Sequence, residues 1–550
     1  MTKSKKANAK LRAIQKIIID GLNNLLSAFE KAYAILITYT VKTKDRFPSI
    51  YRYFDGLTNQ HIITPSKALF KSSKIEDMGN FITANIMKRL PHIDEQNVEE
   101  IMHNPSNKSF LEMLTKGFGI DSDKEKTYTA LGNVGFKRIL IANRGEIALR
   151  IIRACRELGI GCVVIYSELE KDSLAVKFAD KSYNIGKSKN YLDIKKIVKI
   201  AKQSECDAIH PGYGFLAENP KFAKLCEKNG IKFIGPSSKM IEKLGDKVEA
   251  KKAMLKSNIP IIEGVKEDLK SKRHALRIAK RIGFPVILKA SAGGGGKGMR
   301  VVAKEEEVFN AYECASKEAL NAFDNDSLYI EKYLEEPKHI EFQILADKHG
   351  NVIHLSERDC SIQRRHQKLI EEAPSPALSN ELREAMGNAA VNAVKAIGYV
   401  GAGTVEFLLD KNKNFYFIEM NTRIQVEHGV TEMITNVDLV KEQIKLAEGA
   451  KLTYKQEDIK IDGHAIECRI NAEDPSNDFA PSPGTIVNYL PPGGLGIRIS
   501  SSCHTGCNVS PQFDSLIALL ICYGNTRQEA IARMKRALDE FIIEGVKTTI

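Results

Sequence analysis

The chain has no apolar run near its N-terminus long enough to cross a membrane. The longest, Ala32 to Val41, is about half of what a span requires. It has no paired cysteine framework either. Ten cysteines are scattered, no secretory signal precedes them, and they read as reduced thiols of a cytoplasmic protein. Cys503 and Cys507 flank His504, but zinc wants four ligands and no second pair stands at a suitable spacing, so no zinc site is expected. Met1 to Arg12 is basic and free of acids, yet Asp20 and Glu30 soon interrupt the pattern, so no import signal is expected. No nucleic-acid module accompanies the net charge of +12, which reads as a lysine-rich surface with anionic ligands, without nucleic acid or membrane as partner. Dinucleotide binding is also excluded, because Asn143-Arg144-Gly145-Glu146 lacks the G-x-G-x-x-G spacing.

What remains is ordinary globular composition, 43% hydrophobic and 27% charged over 550 residues, enough for three or four domains. Residues 1–135 carry Leu11, Ile14, Ile18, Leu22, Leu25, Phe29 and Tyr33 at helical spacing, and predict a helical extension or docking arm without catalytic residues. From Lys137 strands alternate with helices: Arg138 to Ala142, a helix through Leu158, Gly161 to Tyr166, and a third strand ending at Ala208-Ile209. This predicts a Rossmann-like α/β subdomain over residues 136–260. Residues 261–336 form a compact α/β stretch around a glycine run, and 337–550 read as a larger, mainly antiparallel α+β unit.

Three motifs carry chemistry. Lys289 ends a strand and leads into Gly293-Gly294-Gly295-Gly296-Lys297-Gly298, where consecutive glycines let backbone N–H groups approach phosphate oxygens. It is not a P-loop, because the G-x-x-x-x-G-K-[ST] order is missing. The second is Glu406 with Glu419 to Glu427. If that run stays extended, Glu419, Asn421, Arg423, Gln425 and Glu427 share one face. A hairpin centred between Asn412 and Lys413 sets Glu406 opposite Glu419. Two carboxylates ~4 Å apart repel by roughly 4 kcal/mol at an effective dielectric of 20, and a divalent cation is the economical offset. Magnesium suits two carboxylates and an amide oxygen. The third is Arg358 to Lys368 followed by Glu371-Glu372-Ala373-Pro374, dense in donors for small oxyanions and nucleotide groups.

These motifs, in this order, resemble those of biotin carboxylase, the ATP-grasp component of acetyl-CoA, propionyl-CoA and pyruvate carboxylases: IANRGEIA, HPGYGFLAEN, GGGGKGM, ERDCSIQRRHQK, EEAP, FIEMNTRIQVEH, INAEDP and PSPG. The resemblance runs from about Lys137 to the end. It implies an ATP-grasp fold with a Rossmann-like subdomain, a lid and a C-terminal subdomain. It also implies ATP-dependent carboxylation of biotin by bicarbonate through carboxyphosphate. The implied ATP-binding residues are Lys247, Lys289, Gly294, Gly295, Gly296, Glu331, Lys332, Leu334, His339, Gln363 and His366. The implied ligands of Mg2+ or Mn2+ are Glu406, Glu419 and Asn421. Lys368, Arg423, Gln425 and Val426 are implied around bicarbonate, Glu427 as general base, and Arg498 as the cation that steadies the biotin enolate.

Departures from the pattern are Ala292 at the start of the glycine run and Gly429 where proline is common. Ile550 also ends the chain before an expected last helix, so the carboxylase part is expected to be shortened. Neither Met87-Lys88 nor Met534-Lys535 has the neighbours of a biotin attachment site, so biotin is expected in trans. The expected partners are a second copy in a homodimer, a biotin carboxyl carrier protein and a carboxyltransferase subunit. The alternatives are another ATP-grasp ligase of carbamoyl-phosphate type, and a scaffold that presents the N-terminal arm.

Overall fold

The computed structural model describes residues 135–264, 267–291 and 298–550, with the side chains of Lys247 and Val248 outside it. All of these belong to one compact unit, Val134–Ile550. The helical reading of residues 1–135, most of the glycine run and the side chain of Lys247 therefore lie outside the described residues.

The first α/β layer is a parallel sheet built from β1 (Arg138–Ile141), β2 (Gly161–Ser167), β3 (Lys181–Gly186), β4 (Ala208–His210) and β5 (Lys232–Phe233), in the order β3-β2-β1-β4-β5. Strand β3 is an addition to the sequence reading. Its burial pattern is mostly polar and exposed, so it lacks the apolar run that marks β1 and β2. The helix Gly145–Glu157 buries Ile147, Ala148, Ile151, Ile152 and Cys155 at helical spacing against this sheet. The loops after β1 and β4 are tied together: Asn143 Nδ2 donates to the carbonyls of Pro211 and Tyr213, both at 2.7 Å. Gly212 (φ +63°) belongs there, since a Cβ would lie 2.9 Å from that amide nitrogen.

A small antiparallel sheet follows, β6 (Val286–Ala290), β7 (Arg300–Val302) and β8 (Leu328–Lys332), in the order β7-β6-β8. Helices Lys272–Ile282 and Val308–Phe323 cover it with a separate apolar core that includes Ala275, Val286, Leu288, Ala315 and Ile330. Ser271 caps the first of these helices, its Oγ accepting from His274 N at 3.2 Å.

The third element is an eight-stranded sheet. Its strands are β9 (Lys338–Ala346), β10 (Val352–Arg364), β11 (Gln367–Ala373), β12 (Gly401–Leu409), β13 (Phe415–Asn421), β14 (His464–Asn471), Leu516–Gly524 and Ile497–Ser501. They lie in the order β13-β12-β9-β10-β11-β14-(516–524)-(497–501). One face of β9 and β12 buries Ile340, Phe342, Ile344, Val405 and Phe407 beneath helix Asn380–Ile397. The opposite face is polar, and its register makes the site.

Candidate active site

Directly opposed residues run across four strands: Glu419 on β13 faces Glu406 on β12, Glu406 faces Glu341 on β9, and Glu341 faces Arg358 on β10. Neighbouring strands lie ~4.8 Å apart. At about 5 Å each pair of ionised carboxylates repels by roughly 3 kcal/mol at an effective dielectric of 20. Cations inserted into the row offset this repulsion.

Arg358 is fully buried. Its guanidinium donates to Glu341 Oε1 (2.6 Å), Gln343 Oε1 (2.8 Å), Thr431 Oγ1 (3.0 Å), Thr404 Oγ1 (3.2 Å) and Gln425 Oε1 (2.5 Å). Lys368 Nζ bonds Glu341 Oε2 (2.5 Å) and Glu427 Oε1 (2.7 Å) and lies 3.4 Å from Glu406 Oε1. Burial opposes the lysine's charge, but Glu341, Glu406 and Glu427 hold its pKa well above the ordinary lysine value. His339 Nε2 is 2.9 Å from Glu406 Oε2. Burial raises the Glu406 carboxyl, yet Lys368 and His339 outweigh it and keep it below the carboxylate range. Glu427 behaves alike: burial is overcome by Lys368, Arg469 and Arg358, and it stays ionised.

The run Glu419 to Glu427 does not remain extended. Strand β13 ends at Asn421, a bend follows, and Glu427 caps the helix His428–Thr435. Period-two alternation therefore holds only for Glu419 and Asn421, and hydrogen bonds gather the rest. Asn421 Nδ2 and Gln425 Nε2 donate to Glu406 Oε1 at 2.6 and 2.7 Å. Arg423 donates to Asn421 Oδ1 and Glu218 Oε2, each at 2.9 Å. Val426 is half-buried beside Glu427 and accepts from His428 Nδ1 at 3.1 Å. The hairpin pairs Glu406 with Glu419 as expected. A bulge after Glu406 then shifts the pairing by one, to Phe407 with Phe417.

At the small sheet, Glu331 is buried between Lys251 and Lys289, the latter at 3.4 Å. Burial raises its carboxyl, but the two lysines bring it down to about 2. The ammonium of Lys332 points elsewhere, to the carbonyls of Gly283 and Phe284 at 3.0 Å each. Leu334 follows, half-buried. Gln363 Nε2 lies 3.4 Å from His339 Nδ1, whereas His366 stands exposed at the tip of the β10–β11 turn with φ +63°.

Arg498 is not brought to Glu427. It lies on strand Ile497–Ser501 and pairs with Glu432 Oε2 at 2.7 Å, on the helix that Glu427 caps. The cation that reaches Glu427 is Arg469 on β14, whose Nη2 donates to Oε2 at 2.9 Å while its Nε donates to Glu371 Oε1 at 2.7 Å. Glu341, Arg358 and Arg469 were missed as site residues by the sequence reading. The signal for two of them was the alternation His339-Glu341-Gln343 against Ile340-Phe342-Ile344, and Glu467-Arg469 against Ile466-Cys468-Ile470.

Oxygen donors from Glu406, Glu419 and Asn421 suit a hard divalent cation. The Asn421 amide now turns its nitrogen to Glu406, and a half-turn presents its oxygen, so the residues present fit the group.

A small antiparallel sheet with a buried lysine–glutamate pair, next to a large sheet with an acidic floor, defines an ATP-dependent ligase of the ATP-grasp class. Comparison with known proteins agrees. Residues 135–241 match the family described as "Biotin carboxylase, N-terminal domain", 246–455 match "Carbamoyl-phosphate synthase L chain, ATP binding domain", and 467–550 match "Biotin carboxylase C-terminal domain". The chain is 58% identical to Biotin carboxylase 1 of Bacillus subtilis over 75% of this chain and 93% of that protein. It is 56% identical to the 2-oxoglutarate carboxylase small subunit of Hydrogenobacter thermophilus, over 76% of this chain and 88% of the other. The biotin carboxylase domain dimer of the 2-oxoglutarate carboxylase from that organism, solved with MgADP, ADP and bicarbonate, superposes with a TM-score of 0.75 at 56% identity. That match covers 76% of this chain and 92% of that one.

The chain belongs to the biotin carboxylase family. It is an ATP- and magnesium-dependent ligase that carboxylates biotin with bicarbonate.

Proposed function

We propose that the acidic floor and the residues around Lys368 form one reaction centre, with the roles set by their contacts. Lys289, oriented by Glu331, faces nucleotide phosphates together with Lys247 and the loop Gly294–Gly296. Glu331, Lys332, Leu334, His339, Gln363 and His366 surround the nucleotide. Glu406, Glu419 and Asn421 hold the metal, which when bound neutralises charge on the transferring phosphoryl group. Lys368, Arg423, Gln425 and Val426 receive bicarbonate. Glu427, kept ionised by Lys368 and Arg469, takes its proton.

The attacking bicarbonate oxygen then takes the γ-phosphoryl group of ATP as its bond to ADP breaks, giving carboxyphosphate, which splits into CO₂ and phosphate. Phosphate accepts the ureido proton of biotin, and the ureido nitrogen then bonds to CO₂ to give carboxybiotin. Arg469, hydrogen-bonded to Glu427, holds the enolate oxygen in this reading, while Arg498 pairs with Glu432 further along the helix that Glu427 caps. The observation that carries this reading is Lys368, which spans from Glu406 to Glu427 and so links the metal floor to the base.

The domain division 136–260, 261–336 and 337–550 belongs to the same reading. It is supported by the separate parallel, small antiparallel and large antiparallel sheets. Biotin arrives on a carrier protein, a separate carboxyltransferase sets the acceptor, and the chain pairs as a homodimer. The names of its relatives, one a small subunit of a carboxylase and one a domain dimer, support this. A reducing compartment, the cytoplasm, is supported by ten cysteines that are all free thiols. Among the described residues no helix is long and apolar enough to cross a membrane.

The test is ATP hydrolysis by the full chain with and without bicarbonate, free biotin and magnesium. Turnover is expected only with ATP, bicarbonate and magnesium present, and to rise with biotin. Turnover indifferent to biotin would point to a carbamoyl-type ligase, and none at all to a scaffold.

A further inference from the structure

Behind Arg469 stand two carboxyls that the reaction as described does not use. Glu371 on β11 and Glu467 on β14 are directly opposed in the antiparallel ladder, and both are fully buried. Opposed side chains in such a ladder have Cβ atoms about 5 Å apart. Glu371 Oε1 accepts from Arg469, but Glu371 Oε2 and both oxygens of Glu467 have no hydrogen-bond partner among the described residues.

The surroundings leave few cations to spare. On their own strands the pair meets Arg469 and, toward Glu371, Lys368. The helix His428–Thr435 contributes Glu427 at its cap, β10 contributes Cys360, and the helix Gly145–Glu157 contributes Glu146, whose two oxygens are also unpartnered. Glu146 in turn faces Arg150, Arg153, Arg469 and Arg498. From strand Leu516–Gly524 the residue opposite Glu467 is Ile521, which is apolar. Above lies Gly429, where a Cβ would sit 3.3 Å from Glu467 Oε2 and 2.3 Å from Ile521 Cδ1, so the start of that helix packs closely over this carboxyl.

Lys368 and Arg469 are both already committed to Glu427. Two ionised carboxylates here would repel each other strongly, with little solvent to screen them. Each would also carry the desolvation penalty of a buried charge. One proton removes the repulsion and one of the two desolvation penalties, and leaves Arg469 a single carboxylate on the Glu371 side.

We propose that Glu371 and Glu467 share one proton, and that this neutralised pair keeps Arg469 turned toward Glu427, which makes both glutamates positioning residues of the carboxylation. Burial supports this, pushing Glu371 up to about 7 and Glu467 well above the carboxylate range. When the shared proton is lost, Arg469 is drawn between two carboxylates and a further negative charge stands beside the bicarbonate site. The second half of the proposal rests on the reading of Glu427 given above; the shared proton does not.

Two measurements on the full chain separate them. The infrared difference spectrum between the chain and E467Q, or E371Q should E467Q fail to fold, is expected to show the carbonyl stretch of a protonated carboxyl at pH 7 that disappears on raising the pH. Absence of that band overturns the shared proton, whatever the enzyme does. The KM for bicarbonate is expected to rise by up to about tenfold per pH unit above the midpoint of that band. In E467Q, neutral at every pH, this rise is expected to vanish while the dependence of kcat on ATP keeps its form. Superimposable KM profiles for E467Q and the unaltered chain would overturn the positioning role. No bicarbonate-dependent turnover in the unaltered chain, with the band present, would overturn the reading of Glu427 alone.

Discussion

Replacing Arg358 by methionine tests whether the acidic floor is held by that one guanidinium. Its five acceptors come from four segments: Glu341 and Gln343 on β9, Thr404 on β12, Gln425 in the bend after β13, and Thr431 in the following helix share a side chain with no solvent contact. Breaking a buried ion pair by removing one partner costs about 3–5 kcal/mol, and each stranded buried acceptor adds about 1–3 kcal/mol before relaxation. Water entering the vacated space and the second bond of Glu341 to Lys368 limit the total, so about 5 kcal/mol is expected. That is a large share of a typical domain's 5–15 kcal/mol. Most of it comes from the stranded Glu341 charge, so adding Glu341→Gln to Arg358→Met should recover about 2 kcal/mol. Urea unfolding followed by far-UV circular dichroism reads both midpoints at unchanged slope. A loss below about 1 kcal/mol for Arg358→Met, or no recovery in the double variant, refutes the reasoning.

Further outcomes follow from other contacts. Glu331 has its carboxyl lowered from the ordinary 4.5 to about 2, so its pairing with Lys289 and Lys251 stabilises the fold above pH 4.5 and is lost as the pH falls toward 2. The unaltered chain should exceed Glu331→Gln by about 3 kcal/mol at pH 6, with the gap closing by pH 2–3 in urea unfolding. Gly429→Ala places a Cβ 2.3 Å from Ile521 Cδ1, and a lowered melting temperature worth about 1–3 kcal/mol is expected. Adding Ile521→Val, which removes that atom, should restore most of the loss.

The sequence was legible where chemistry and periodicity agreed. The Glu406–Glu419 pairing followed from a polar turn between two alternating strands, and the β1-to-helix unit from an apolar run followed by helical spacing. The bend after Asn421 was not legible. Alternating polar residues look the same in a strand as in a turn whose side chains converge through hydrogen bonds, and only coordinates separate the two. Strand β3 was missed because its side chains are half exposed. Arg498 and Arg469 differ in partner through a three-dimensional fact: β14 passes beside the cap of helix His428–Thr435, and strand Ile497–Ser501 lies two strands further along the sheet. Arg358 sat in a motif already recognised as donor-rich, but its burial, which makes it structural rather than a ligand contact, is a property of the packed sheet.

The most direct test of Glu427 as the base is the variant Glu427→Gln, which keeps shape and removes the charge held by Lys368 and Arg469. Bicarbonate-dependent ATP cleavage should fall by about 10²-fold or more, while the dissociation constant for MgATP, measured by calorimetry, changes by less than about threefold. Equal loss of turnover and nucleotide binding would contradict the account and make Glu427 a structural residue.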